Sequence, residues 1–409
     1  MGLQGKHDAV NDDGWPVPIL GSQQGLSGQG GSEVAQGRQS GREDKPRLLL
    51  ITADSGPGGT LRWVRTIYPH FCASHDTALM LRAPLGDEPP PEVAGYLPAL
   101  APLISPRQAF GLWAVLCMLR QHRPDVILAS GFTTLLPFLL IRRLRLYPHV
   151  PLLMVQRGVL SEFPHVSQWR MRLAMRLAAA AVDSRDRLAA VAPNARDFLQ
   201  NSPFGRYPIE LIPNGIDLPD NLPERAPGPA QGPLRVAVIG RLTIEKGADR
   251  LPGLVRAAPQ LQFHLAGDGD LAAGLRAEMA AEIAEGRVVF HGWVDEPMRL
   301  LAQCDLLLLP SRTEACPHVV LEAFALRVPV WSMAVGGVPY LLEEGAAGRL
   351  FASLTQMQQA LRGLDTAAIA ADGPAVAYAA RLLQERYTEA AMVQRYEAQL
   401  DALRHAARD

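Results

Sequence analysis

Short apolar runs alternate with longer helix-type patterns along most of the chain. In the first half the runs are RLLLIT, DVILAS, PLLMVQ, LAAVA and IELIP, separated by segments such as WRMRLAMRLAAAAVD. Runs that are apolar on both faces and are joined by helices indicate a parallel sheet with helices on both sides. The first half is therefore predicted to form a doubly wound α/β domain over residues 46–217.

The same alternation restarts after a proline-rich stretch. Residues 218–233, LPDNLPERAPGPAQGP, hold too many prolines for a helix interior or a central strand, so we interpret them as an interdomain linker. The runs LRVAVIG, QFHLAG, RVVF, DLLLL and VPVWS follow, each with a helical pattern after it. They predict a second doubly wound domain over residues 234–372, which faces the first across a cleft.

The two ends of the chain differ from these domains. Residues 1–45 are rich in Gly, Ser and Gln and show no apolar period, which predicts a disordered leader. Residues 373–409 have a helical pattern and no strand, and we expect these helices to cross back to the N-terminal domain. A chain of 409 residues is long enough for two domains of ordinary size, each with its own core.

Charge is distributed unevenly between the two halves. The net charge of the whole chain is -1, which argues against a nucleic-acid-binding protein. Residues 47–200 contain 17 Arg and no Lys against 10 Asp and Glu, whereas residues 201–409 contain 18 Arg and one Lys against 25 Asp and Glu. The basic half either binds an anionic partner or differs from the acidic half by chance.

Cysteine usage and apolar segments point to a compartment. Cys72, Cys117, Cys304 and Cys316 form neither a C-x-x-C pair nor a metal-ligand spacing, which indicates a reducing environment and no metal site. The N-terminus lacks the basic and apolar regions of a secretory signal, and the run FTTLLPFLLI is half the roughly 20 residues of a membrane span. We expect a cytoplasmic protein, either soluble or peripheral on the inner membrane.

A glycine-rich loop follows the first predicted strand. In ADSGPGGTLR, Gly56, Gly58 and Gly59 permit close backbone approach, and the next helix offers its N-terminal N–H groups to an anion. The loop is neither a G-x-G-x-x-G fingerprint nor a P-loop. On its own it is either an anion-binding loop or a plain strand-to-helix turn.

A pair of cations follows the first strand of the second domain. GRLTIEKGADRL places Arg241 and Lys246 five residues apart at a helix start, where a forked donor and a point charge suit a diphosphate. The chain has 37 Arg and three Lys, and Lys6 and Lys45 lie in the predicted leader. Lys246 is thus the single lysine of the predicted folded region, which makes an ordinary solvated charge the weaker alternative.

A pair of carboxylates follows the run DLLLL. In SRTEACPHVVLEAF, Glu314 falls in the strand-to-helix loop and Glu322 on the next helix, so both can face one ligand. Carboxylates accept paired hydrogen bonds from vicinal hydroxyls, as in sugar and ribose recognition. Alternatively, the two acids only favour a helix N-terminus. Burial of Glu322 among apolar residues without a polar partner would cost roughly 2 kcal/mol or more, which favours a ligand hydroxyl.

Several motifs, in order, resemble one enzyme family. GRLTIEKGADRL, HLAGDGD, VVFHGWV, DLLLLPSRTEACPHVVLEAFALRVPV and VGGVPYLLEEGAAGRLF look like the C-terminal motifs of retaining glycosyltransferase family 4, the glycosyl transferases group 1. SGPGGTLR and LIPNGID match the same family in the first half. The resemblance covers roughly residues 47–351 and implies an α/β GT-B fold, two Rossmann-like domains facing a central cleft.

The resemblance also implies the roles of individual residues. Arg241 and Lys246 would hold the diphosphate of a nucleotide sugar, Glu314 would reach the donor sugar, and Glu322 would bind the ribose hydroxyls. Further donor contacts would come from Gly58, Gly59, Arg157, Gly240, Val294, Ala315, Cys316, Pro317, His318 and Val319. The co-substrate implied is a UDP-sugar, without a separate cofactor or metal; the D-x-D-like DGD at residues 268–270 is interpreted as a plain loop.

The implied reaction is front-face displacement with retention at the anomeric carbon, in which the two cations stabilise the departing diphosphate. The acceptor would be a glycan or lipid-linked saccharide of the bacterial envelope. Arg157 stands where many family members have a histidine, and Arg327 and Tyr340 also depart from the usual pattern. The alternative suggested by Arg157 is a non-catalytic GT-B module that binds a sugar nucleotide or partners an active transferase.

One basic segment of the first domain is interleaved with apolar residues. WRMRLAMRLA carries Arg170, Arg172 and Arg176 beside Trp169, and FLLIRRLRL precedes it in the chain. The segment is either an ordinary surface helix or a contact with an anionic membrane.

Overall fold

The computed structural model describes residues 45–52, 59–81, 112–159, 167–218, 222–223 and 232–406. Nearly all of the predicted leader, most of the predicted linker, and Gly56 and Gly58 of the glycine-rich loop lie outside these residues.

The first domain is built on a six-stranded parallel sheet. In sheet order the strands are β2 (Asp76–Leu81), β1 (Arg47–Thr52), β3 (Val126–Ser130), β4 (Leu152–Gln156), β5 (Arg187–Ala190) and β6 (Ile209–Leu211). Its helices are α1 (Gly59–Ser74), α2 (Leu112–His122), α3 (Leu136–Arg143), α4 (Gln168–Ala179) and α5 (Pro193–Gln200). Leu48 and Leu50 of β1 pack into the core on one face of the sheet, while Leu49 and Ile51 pack into the core on the other. The strand is apolar throughout because both faces are covered.

The second domain repeats this construction. In sheet order its strands are β12 (Arg349–Phe351), β11 (Val330–Met333), β10 (Leu306–Leu309), β7 (Arg235–Ile239), β8 (Gln262–Ala266) and β9 (Val288–Gly292), and all neighbours run parallel. Its helices are α6 (Leu251–Ala257), α7 (Ala272–Glu278), α8 (Ala280–Ala284), α9 (Pro297–Leu301), α10 (His318–Ala325), α11 (Val338–Leu341), α12 (Leu354–Arg362) and α13 (Thr366–Ala371).

The strand order of the second sheet fixes where its ligand site can lie. β7 pairs with β8 on one side and with β10 on the other, so chain progression reverses between β7 and β10. Open parallel sheets bind ligands at such a point, outside the carboxyl ends of the two strands. The loop after β7 carries Arg241 and Lys246, and the loop after β10 carries Glu314, with Glu322 on the helix that follows.

The last two helices, α14 (Gly373–Arg386) and α15 (Glu389–Ala406), return the chain to the first domain. α15 packs against α1 and against β3 and β4. At the crossing, the Ile216 N–H donates to Tyr387 O (3.0 Å) and the Glu389 N–H donates to Ile216 O (2.8 Å). Two segments of chain therefore run side by side where the domains join.

The prediction of two doubly wound parallel α/β domains is confirmed by the two sheets. β2 and β12, each at one of the two edges of its sheet, were not predicted from the sequence. None of the described helices is long and apolar enough to cross a membrane.

Candidate functional site

The loops after β7 and β10 are joined by direct contacts. The Arg312 guanidinium binds both carboxylate oxygens of Asp249 (2.6 and 2.7 Å), and the Arg312 N–H donates to Glu245 O (2.8 Å). Gly247 has a φ of 68°, and a Cβ at this position would lie 2.1 Å from Pro310 O. Only glycine fits such a close approach with a left-handed backbone, so the two loops form one rigid unit.

This unit brings Lys246 and Glu314 together. Lys246 Nζ donates to Glu314 Oε2 at 2.7 Å, and Ser311 Oγ donates to Glu314 Oε1 at 2.8 Å. The Glu314 side chain is 7% exposed and that of Lys246 is 29% exposed. A charge-assisted hydrogen bond between poorly hydrated groups fixes both side chains. The sequence predicted a common ligand for the two residues but not their direct pairing.

Arg241 lies at the start of the same loop, directly after Gly240, and its side chain is exposed. No described residue forms an ion pair or hydrogen bond with its guanidinium. The backbone here is tightly packed, because a Cβ on Gly267 at the end of β8 would lie 1.9 Å from Gly240 O. Arg241 therefore offers a cation to solvent from a well-fixed backbone.

Glu322 is completely buried on α10. Its ionic partner is the Arg62 guanidinium of α1, which reaches across from the first domain. No described hydroxyl or backbone N–H donates a hydrogen bond to either carboxylate oxygen. Burial raises the pKa of the Glu322 carboxyl, and Arg62 opposes that rise. A buried carboxylate with so few donors has spare capacity for ligand hydroxyls.

His318 begins the same helix and is also buried. Burial, together with the charges of Arg62 and Arg157, holds the pKa of the His318 imidazole well below its usual value, so the ring is neutral near pH 7. A Cβ on Gly59 would lie 3.8 Å from His318 Nδ1, which places the start of α1 against this ring.

Arg157 joins this group from the carboxyl end of β4. Its guanidinium donates to Gly59 O (3.1 Å) and lies over the Trp63 ring, 4.6 Å from the centroid. Arg157 therefore supports the loop that faces His318, and it is oriented by a buried aromatic ring.

Two asparagines of the first domain hold the loop between Glu314 and α10. Asn194 Nδ2 donates to Glu314 O (3.1 Å), and Asn214 Nδ2 donates to Cys316 O (2.6 Å). From the other side the Gly337 N–H donates to Glu314 O (3.0 Å). The loop is thus fixed by both domains. Asn214 belongs to the LIPNGID motif and Arg62 to SGPGGTLR, although neither residue was predicted to have a role, and Asn194 carried no sequence signal.

Four of the remaining predicted donor contacts lie in or beside this loop, and Val294 lies farther away. Ala315, Pro317 and Val319 are half-buried in or beside it. Cys316 is buried, and burial raises the pKa of its thiol to about 12, so it is not a nucleophile. Val294 follows the edge strand β9, which β8 separates from β7. Within the described residues no hydrogen bond joins Val294 to the cluster around Glu314.

One group of described residues has the geometry of possible metal ligands, and it lies elsewhere. It consists of His149, Asp183 and Asp186 in the first domain. The Asp186 oxygens accept hydrogen bonds from the Arg142 guanidinium and from the Leu152 and Asp183 N–H groups. These donors account for the buried carboxylate as a structural group.

Comparison with known proteins places these features in a family. The family model described as "Glycosyltransferase Family 4" matches residues 57–219, and "Glycosyl transferases group 1" matches residues 223–369, so the two cover about three quarters of the chain.

Among individual proteins, a glycogen synthase of Mycobacterium tuberculosis is 26% identical over 347 residues, which is 74% of this chain and 81% of that protein. The lipopolysaccharide core biosynthesis glycosyltransferase LpsE of Rhizobium meliloti is 32% identical over 121 residues, 29% of this chain and 35% of that protein. Among solved structures, Anabaena Alr3699/HepE in complex with UDP and glucose matches with a TM-score of 0.70 at 20% identity, over 87% of this chain and 100% of that one.

The fold likeness assigns the two doubly wound domains to the GT-B architecture, and the two family models match in chain order. The chain is a glycosyltransferase and belongs to the glycosyl transferases group 1, of the family 4 type.

Proposed function

We propose that this glycosyltransferase moves a sugar from a UDP-sugar to a glycan or lipid-linked saccharide in bacterial envelope polysaccharide biosynthesis. The observation that carries the proposal is the Lys246–Glu314 pair (2.7 Å) at the switch point of the second sheet, with Arg241 on the same loop and Glu322 on the next helix. Anabaena HepE, whose structure holds UDP and glucose, supports the donor class. LpsE, named for lipopolysaccharide core biosynthesis, supports the acceptor class.

In this proposal the cations of the second domain act on the leaving group. Arg241 and Lys246 bind the diphosphate and stabilise the negative charge that grows on it as the bond to the anomeric carbon breaks. Glu314 holds the Lys246 ammonium in place and accepts a hydrogen bond from the donor sugar. Because the pair is preformed, little reorganisation is needed when charge develops.

We further propose that the anomeric configuration is retained by attack on the face from which the diphosphate leaves. The acceptor hydroxyl forms the new bond to the anomeric carbon, and its proton passes to the departing phosphate oxygen. Glu314 is engaged by Lys246 and Ser311, and Glu322 is buried against Arg62. These engagements support a mechanism without a carboxylate nucleophile.

The rest of the donor is proposed to lie along α10 and the loops around it. Glu322 accepts the ribose hydroxyls, for which its buried carboxylate has spare acceptor capacity. The first N–H groups of α10 have no helical acceptor and face the donor beside His318 and Val319. Gly58, Gly59 and Arg157 close the site from the first domain. The remaining contacts proposed are Gly240, Val294, Ala315, Cys316 and Pro317.

The reaction is proposed to take place in the cytoplasm, without a separate cofactor. All four cysteines are free thiols, which supports a reducing compartment.

Nucleotide specificity tests the proposal directly. We expect UDP at 100 times its dissociation constant to stabilise the protein by about 2.7 kcal/mol in a thermal unfolding assay, and GDP and ADP to have weaker effects. Glu322→Ala should lose this stabilisation, whereas Arg362→Ala, on the exposed end of α12, should keep it. The assignment would be overturned if no nucleotide stabilised the protein or if the two variants responded alike.

A further inference from the structure

Three neighbouring helices of the first domain expose an unusual amount of apolar surface. Eight large apolar side chains are exposed in the described part of the chain, and six of them lie on α2 or α4, or on or directly after α3. These six are Trp113, Leu140, Leu144, Trp169, Leu173 and Leu177. α3 packs against both α2 and α4, so the six belong to one surface, which we name the α2–α4 face.

On α4 the exposed apolar residues form a continuous stripe. Trp169, Leu173 and Leu177 follow one another at every fourth position and are 68%, 49% and 42% exposed. The same helix already buries Met171 and Met175 in the domain core. Residues spaced by four lie on one side of a helix, so α4 carries a second apolar stripe that the core does not need.

Arginines border this stripe, and acidic residues are absent from the three helices. Arg170, Arg172 and Arg176 are exposed on α4, and Arg143 and Arg145 are exposed at the end of α3. None of these five forms an ion pair with a described residue. The sequences of α2, α3 and α4 contain no Asp or Glu. The face is therefore both apolar and uniformly cationic.

We propose that the α2–α4 face docks on a bilayer surface that contains anionic lipids. A stripe of Trp and Leu flanked by arginines is the pattern of a helix that lies in the plane of the interface. Arginine side chains extend from such a helix to lipid phosphates while their stems cover apolar surface, and Trp favours the headgroup level.

Charge argues against a second copy of the chain as the occupant. In a twofold interface the same patch meets itself, and two uniformly cationic patches would repel each other. An anionic lipid surface supplies the opposite charge and accepts the apolar stripe.

The position of α4 gives the docking a consequence for the active site. α4 follows β4 and leads into the parallel strand β5, so its N-terminal end, with Trp169, lies at the carboxyl edge of the sheet, where Arg157 also lies. The face thus extends to the side of the molecule that holds the cleft. A docked enzyme would hold its first domain, and the edge of the cleft near Arg157, against the lipid surface.

Vesicle sedimentation of the full chain tests the electrostatic part. The protein should bind vesicles of phosphatidylcholine containing about a third phosphatidylglycerol, should bind pure phosphatidylcholine far less, and should be released by salt. Replacing the α4 arginines (R170Q, R172Q and R176Q together) should lower the partition coefficient about 100-fold, since each basic residue near such a surface contributes about one kcal/mol. The matched control, R299Q, R362Q and R381Q together, removes the same charge from the second domain and the C-terminal helices and should change it less than about threefold.

A second variant tests insertion of the apolar stripe. Leu173→Gln with Leu177→Gln keeps every charge and should weaken binding about 30-fold. Quenching of tryptophan fluorescence by brominated lipid should fall strongly in Trp169→Phe and little in Trp293→Phe. Circular dichroism and the response to UDP should be unchanged in all variants, so a failure of docking is distinguishable from a failure of donor binding.

Three outcomes would overturn the proposal. The first is no binding to anionic vesicles at low ionic strength. The second is equal loss of binding in the α4 variant and its matched control. The third is a dimer, detected by sedimentation velocity, that the two leucine substitutions dissociate, which would identify the face as a protein interface.

Discussion

Replacement of Lys246 by methionine separates the structural role of this residue from the catalytic role proposed for it. The change keeps the volume of the stem and removes the ammonium that donates to Glu314 at 2.7 Å. Glu314, which is 7% exposed, then retains Ser311 as its hydrogen-bond donor. Removal of one partner from a fully buried ion pair costs about 3–5 kcal/mol. Lys246 is 29% exposed, so water screens the pair, and we expect a loss of about 1–3 kcal/mol in the free energy of unfolding.

Urea denaturation of a double-mutant cycle measures the coupling of the pair. Lys246→Met and Glu314→Gln should each destabilise, and the double variant should be about as stable as either single one, because the second change removes a partner already lost. As a control, Arg299→Met breaks an ion pair with Glu296 in which both side chains are largely exposed, and it should cost at most about 0.5 kcal/mol.

Turnover should respond differently from stability. If Lys246 acts on the leaving group as proposed, its loss should lower kcat about 10²–10³-fold, and Glu314→Gln should not restore turnover to Lys246→Met. The expected destabilisation is small beside the roughly 5–15 kcal/mol of a typical domain, so the variants remain folded for the assay of UDP release. Turnover of Lys246→Met within about fivefold of the wild type would refute the role assigned to the cation.

Three further predictions concern buried titratable groups and backbone conformation. Burial raises the pKa of Glu322 in the folded state above its unfolded value. The neutral form therefore stabilises the fold below the unfolded pKa, and this contribution is lost as pH rises through the folded pKa. Glu322→Gln should remove that loss from urea unfolding measured as pH rises above about 4.5, and an unchanged profile would contradict it. The lowered pKa of His318 acts in the opposite direction: stability should fall as pH drops below about 6.5, and His318→Gln should reduce that fall in thermal unfolding at pH 5 relative to pH 7. Gly247→Ala places a Cβ 2.1 Å from Pro310 O at a φ of 68° and should lower the free energy of unfolding by more than about 2 kcal/mol. The control Gly274→Ala, inside α7 with no atom within 4 Å, should raise it by about 0.5–1 kcal/mol. Similar effects at both sites would refute the close approach.

The fold was largely predictable because burial leaves a direct trace in sequence. β1 and β10 are apolar at nearly every position, since helices cover both faces of each sheet. β2 begins with Asp76 and Thr77, and β12 has three residues and begins with Arg349. Each lies at a sheet edge and begins with polar or charged residues, so a continuous apolar run does not mark it.

The candidate site was predictable only in part. Strand-to-helix loops after β7 and β10 hold Arg241, Lys246 and Glu314, and a search at the carboxyl ends of apolar runs finds them. Arg62 and Asn194 reach Glu322 and the Glu314 backbone from the other domain, about 260 and 120 positions away in sequence. Contacts of this kind depend on how the two domains meet, which no local pattern encodes.

The side-by-side crossing at Ile216 and Tyr387–Glu389 limits how the cleft can open. The two segments are hydrogen-bonded to each other and so form a double connection between the domains. A Cβ on Gly215 would lie 2.2 Å from Thr388 O, so the segments are closely packed. Rotation of the two domains about the line of these paired segments leaves the hydrogen bonds intact. Sliding the domains past each other, or separating them, would break these bonds. Opening and closing around a donor should therefore be a rotation about the line of these paired segments, and we expect the Arg62–Glu322 contact between the domains to part on opening.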